Sequence, residues 1–147
     1  MERRVQFYVL ALFMFAMWTI VIKYINPLCW SWANWRVTGE WTQPAIFLDF
    51  WPVIHVWMAV WLWTRARFAW SFAIGVSVVE IVIIAVKFAE FYANPMRLRT
   101  KETVAFDYFM THNWFINKSF LIIFFVIILI DLLRPSLKNY LTRKDTV

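Results

Sequence analysis

Two glycines and one cysteine are all that 147 residues contain, and each scarcity excludes something. A single cysteine, Cys29, leaves no internal disulfide and no cage of cysteine ligands for a metal, and it reads as an ordinary free thiol. With Gly39 and Gly75 the only glycines, no glycine-rich phosphate loop can be written. Gly75 alone falls inside a long apolar run, so the glycine-interrupted helices that line many transporter sites are missing. Charge is scarce too: Asp, Glu, Lys and Arg make up 16% of the chain, against about 25% in an ordinary soluble domain. No nucleophile motif, no zinc-binding helix and no internal repeat occurs. These absences count against a self-contained enzyme and against an inverted-repeat transporter built within one chain.

What is present is apolar surface: 63% of residues are hydrophobic and 21% aromatic. Its arrangement predicts an all-α polytopic membrane protein, a single domain over residues 1–147 with four transmembrane helices at about 5–25, 44–64, 68–92 and 114–133, each near the roughly 20 residues a span needs. The intervals between them, of at most about 25 residues, leave no room for a separate soluble module. The first run follows Met1-Glu2-Arg3-Arg4 and is too long for a signal peptide, so it reads as a retained signal anchor. It is expected to end at Asn26-Pro27, because proline disfavours helix in the residue before it, with Lys23 snorkelling outward. Pro44 suits the first turn of the second span, and Pro52 inside it predicts a kink. In the third span, Ala69 with Ala73, Ser71 with Gly75, and Ala73 with Ser77 place small residues at four-residue spacing, the signature of a close helix-packing face. The fourth is clearest from Ser119 to Ile130, after a polar segment from Met96 to about Phe109. The tail from Arg134-Pro135 onward reads as short, basic and polar.

Between the first two spans, Trp30, Trp32, Trp35 and Trp41 are expected to anchor a segment lying along the headgroup zone, where an indole keeps its ring apolar and its N–H wet. The Lys and Arg residues behind the net charge of +6 cluster at span ends, where they meet phospholipid headgroups, so nucleic acid is not the expected partner. Arg3, Arg4, Arg65, Arg67, Arg134, Lys138, Arg143 and Lys144 fall on one side; Arg36, Arg97, Arg99, Lys101 and Lys118 fall on the other. The excess puts both termini in the cytoplasm.

Charges within the spans are the features that ask for a function. Glu80, Lys87 and Glu90 share one stripe of the third span, and Lys87 with Glu90, three apart, is expected to pair near the outer headgroups. Glu80 is then the charge placed nearest mid-membrane, where inserting an ionisable group costs roughly 2.5–3.5 kcal/mol. It reads as a proton-handling or partner-held carboxylate, or as a structural glutamate. Asp49 lies within about two turns of the outer end of the second span. His55, roughly 16 Å into that span among Trp51, Trp57, Trp61 and Trp63, is the candidate axial ligand for haem or chlorophyll, or a structural hydrogen-bond donor. Asp107 and His112, before the fourth span, are candidate metal ligands, though two are too few for a site. A basic, Trp-flanked four-span chain with an Asp and a His ahead of a span is similar in layout to the helical subunits of copper membrane monooxygenases.

The function expected from these features is a small accessory or structural subunit of a larger integral membrane complex, of respiratory, photosynthetic or monooxygenase type. It would pack against larger polytopic subunits, phospholipid or pigment. No cofactor is required by the sequence itself; haem, chlorophyll or copper would belong to a partner subunit. The competing expectations are a proton-coupled transporter using Glu80 and a pigment-binding protein using His55.

Overall fold

The computed structural model describes residues 2–44, 46, 49–93 and 104–142, with side chains for all of these but 91 and 104–115. The described residues form helices and no strand. The chain divides into two compact units, Met1–Ala69 and Trp70–Val147.

The first unit opens with α1 (Arg3–Ile20), a π-helical turn (Val21–Ile25) and α2 (Asn26–Thr38), joined as one continuous helix of 36 residues. The break expected at Asn26-Pro27 does not occur. Proline has no N–H and its ring strikes the carbonyl four residues back in an α-helix. Here the Asn26 N–H reaches back five residues to the Val21 carbonyl, and this wider turn takes up the misfit just before Pro27. The helix ends at Gly39, whose φ of 76° gives the left-handed cap that glycine adopts without steric cost. At 1.5 Å per residue, 36 residues extend about 54 Å, well beyond a hydrocarbon core of about 30 Å.

The second helix of this unit is shorter than its apolar run. α3 spans Trp51–Thr64, about 21 Å, and the described residues from 40 to 50 are not helical. Pro52 therefore produces no kink; it sits in the first turn of α3, where its missing N–H costs nothing. A helix carried through Pro52 from Pro44 would lose a backbone bond there, whereas one that begins at Trp51 loses none. α3 ends at Arg65, a non-glycine residue in the left-handed region at φ 51°. Val5, Tyr8, Val9, Leu12 and Ala16 are the buried stripe of α1, and Pro52, His55, Met58, Ala59 and Leu62 that of α3; the two helices pack along each other. Both stripes recur at three- and four-residue steps, the spacing of one helix face.

In the second unit α4 spans Ala69–Ala93, α5 Val104–Leu132 and α6 Pro135–Thr142. α4 matches the run read as the third span. α5 begins at the Val104 backbone, so the helix of the last span starts earlier than its clear part and takes in residues 104–109 of the polar segment. Val104, Ala105, Phe106, Tyr108 and Phe109 supply the apolar continuity for this. The tail is likewise structured: Pro135 starts α6, and Leu137 and Leu141, four apart, bury one face of it. Among the described residues two helices are long and apolar enough to cross a membrane, Arg3–Thr38 and Ala69–Glu90. Ile116–Leu132 with Pro135–Thr142, bent by 79°, makes a third if the pair counts as one span.

Candidate functional site

The polar contacts of the first unit converge where α3 begins. The π-turn presents Lys23 and Tyr24 side by side, and Asp49, just ahead of α3, meets both. The Lys23 ammonium pairs with Asp49 Oδ2, and Asp49 Oδ1 accepts the Trp51 N–H at 3.0 Å. The Tyr24 hydroxyl accepts the Asp49 N–H at 2.8 Å and donates to the Asp49 carbonyl at 3.4 Å. One carboxylate thus satisfies an orphan donor of the first turn of α3 and neutralises the one cation of the π-turn. The Asp49 side chain is 12% exposed and that of Lys23 45%, so the pair reaches solvent through the lysine. Lys23 is not simply snorkelling, as expected from its place near the end of an apolar run. It is held, and it fixes the entry to α3.

His55 lies one turn inside α3, about 6 Å beyond Trp51, because the helix starts later than its apolar run. The depth of 16 Å expected from a start at Pro44 is not found. The ring is 3% exposed and lies 6.0 Å from the Trp51 ring at 36°. Trp57 and Trp61, one turn apart, meet edge to face at 5.5 Å. Trp63 is exposed and with Phe13 and Val60 lines a shallow apolar groove. Trp30, Trp32 and Trp35 project from α2, and Trp41 follows Gly39; all four are exposed. Arg36 lies over the Trp32 ring at 5.8 Å. Because α2 continues α1, this segment runs on along the same helix.

On α4 the buried positions are Ala69, Ala73, Val76, Ser77, Glu80 and Ile84, a single stripe at steps of three and four. Glu80, 3% exposed, belongs to this packing stripe at mid-helix, one turn from Ser77, whose hydroxyl donates to the Ala73 carbonyl at 2.7 Å. Of the expected small-residue rows, Ala69–Ala73–Ser77 is buried and Ser71–Gly75 is exposed. A Cβ built on Gly75 would meet nothing within 4 Å. The exposed face continues through Val78, Val82, Ala85 and Ala89, so six positions at heptad spacing carry nothing larger than valine. Lys87 and Glu90 are both exposed. The ion pair expected between them does not form among the described residues.

The ends of α4, α5 and α6 meet at a contact that sequence reasoning missed. Trp70 Nε1 donates to the Leu132 carbonyl at 2.8 Å, satisfying one of the acceptors left over at a helix C-terminus. Lys138 Nζ lies over the Trp70 ring, 4.7 Å from its centroid, within the range of a cation–π contact. Arg134 Nε lies 3.2 Å from Asp131 Oδ1. The partners are as much as 68 residues apart, so no local pattern could have flagged them.

Asp107 and His112 lie on α5, but their side chains fall outside the described ones. Among the described residues no group of three or more His, Cys, Asp or Glu is placed to hold a metal ion. No protein-family model matches the chain, and neither a curated protein nor a solved structure is similar to it.

Proposed function

We propose that this chain is a small accessory subunit of a larger integral membrane complex, crossing the bilayer with α1, α3, α4 and α5 and keeping both termini in the cytoplasm. The observation that carries this reading is the outward face of α4: Ser71, Gly75, Val78, Val82, Ala85 and Ala89, all exposed. Lipid tails are as apolar as leucine, so a lipid-facing helix gains nothing from small side chains. A helix that approaches another helix does, because small residues let backbones come close. The occupant of that face is a transmembrane helix of a larger polytopic subunit.

The charges support the same arrangement. Lys23 lies 20 residues beyond Arg3, about 30 Å along the helix, which is the hydrocarbon thickness. Arg3 and Arg4 then mark the cytoplasmic headgroups, and the Lys23–Asp49 pair marks the outer ones. α3 returns from that pair to Arg65 and Arg67, a short span that the bilayer meets by local thinning. α2 runs from about 4 Å to about 22 Å beyond the outer surface, carrying Trp30, Trp32 and Trp35 toward the extramembrane parts of a partner. The test is Gly75→Leu, alone and with Ala85→Leu. The isolated chain keeps its helix content, since nothing lies near Gly75, while recovery of the larger complex falls at least tenfold. Unchanged recovery from both variants would remove this face from the interface.

A further inference from the structure

We infer that α6, together with the start of α4, forms a docking patch for anionic phospholipid headgroups, with Arg134 and Lys138 as the cations that meet the phosphate. This rests on the reading of α4 and α5 as membrane spans. Depth is the first argument. Leu132 is the last residue of α5 and Trp70 the second of α4, so the bond between them marks the level at which both helices end. A tryptophan at such a level occupies the headgroup zone, ring toward the hydrocarbon and N–H toward polar groups.

Direction is the second argument. The 79° bend between Ile116–Leu132 and Pro135–Thr142 turns the chain from the line of a span to the plane of the membrane. Leu137 and Leu141 are buried, while Arg134, Ser136, Lys138 and Asn139 are exposed. Leu137 and Leu141 are held within the protein, so α6 is fixed at the level where α4 and α5 end, with its cations exposed where a juxtamembrane basic segment attracts anionic lipid. Charge is the third. Arg134, Lys138, Arg143 and Lys144 fall within eleven residues of sequence, the density of a juxtamembrane anionic-lipid motif. Arg134 Nε lies 3.2 Å from Asp131 Oδ1, and the Arg134 side chain remains 52% exposed. Trp70 holds the Lys138 ammonium at ring level by a contact that leaves its charge intact.

The experiment uses the full chain, purified in mild detergent, delipidated, and titrated with phosphatidylglycerol or phosphatidylcholine of matched acyl chains, with bound lipid counted by native mass spectrometry. Each cation near an anionic surface contributes roughly fivefold in affinity, so Arg134→Gln with Lys138→Gln is expected to lower the preference for phosphatidylglycerol by about twenty-fold. Raising the salt from 0.15 M to about 0.5 M lowers the wild-type preference in the same direction. Arg36→Gln, a charge removed from α2 away from either headgroup level, leaves the preference in place. The inference is overturned if the wild type retains both lipids equally, if its preference is insensitive to salt, or if the Arg134→Gln/Lys138→Gln variant behaves like Arg36→Gln. Recovery of the chain in the soluble fraction of its native cells would instead refute the membrane reading beneath it.

Discussion

Asp49 is the residue whose replacement distinguishes most sharply between two roles of one side chain. Its Oδ1 accepts the N–H of Trp51, the first residue of α3, from the position before the cap residue Phe50, and its Oδ2 pairs with Lys23. Loss of such a hydrogen bond at the helix start costs about 1 kcal/mol. The ion pair contributes below about 1 kcal/mol, because the lysine side chain is 45% exposed and solvent screens it. Asp49→Asn keeps that acceptor and surrenders the charge, and is expected to cost less than about 1 kcal/mol. Asp49→Ala surrenders both and is expected to cost between about 1 and 2 kcal/mol. Stability is read from unfolding in mixed micelles of rising dodecyl sulfate fraction, followed by circular dichroism. A double-mutant cycle of Asp49→Asn with Lys23→Met then isolates the pair, with a coupling of about 0.5–1 kcal/mol. If Asp49→Ala is no worse than Asp49→Asn, the role at the helix start is wrong. A coupling of zero would remove the pair instead.

Other perturbations address the remaining elements. Gly39→Ala meets no neighbouring atom but must hold φ at 76°, so it is expected to cost about 1 kcal/mol and to fray the end of α2, visible as faster amide exchange at residues 35–38. Trp70→Phe keeps a ring under Lys138 while deleting the bond to the Leu132 carbonyl, and is expected to cost about 1 kcal/mol in the same micelle titration. Ala73→Leu overfills a fully buried position and is expected to cost about 1–3 kcal/mol, whereas Gly75→Leu two residues later leaves the isolated chain unchanged. Cys29 is the sole cysteine and is exposed on α2, so a membrane-impermeant maleimide should label it in intact cells without permeabilisation; labelling only after permeabilisation would invert the proposed orientation.

Long apolar periodicity was readable from the residues alone, and α4 and the clear part of α5 follow it closely. Proline was the misleading signal. At Pro27 the usual rule predicts a break, but a π-turn upstream absorbs the misfit; at Pro52 it predicts a kink, but the helix simply begins there. Both outcomes are local backbone accommodations, while the tie between Lys23 and Asp49, 26 residues apart, is a contact that no local pattern announces. The same error placed His55 too deep. Glu80 lies near the middle of α4, on the buried row with Ala69, Ala73 and Ser77, at the spacing that implies a packing face. What spacing could not give was direction: the Ser71–Gly75 row has the same signature and faces outward. α6 was hidden by its polarity, since two leucines in eight residues suffice to bury one face of a short helix once a bend has aimed it.

The central claim is that this chain lives as part of a larger assembly in the membrane. The most direct test is gentle detergent extraction of native membranes, followed by a native gel and mass spectrometry of the band that contains it. Co-migration with larger polytopic subunits is the predicted result. A lone 17.8 kDa species or a small homo-oligomer would contradict the account.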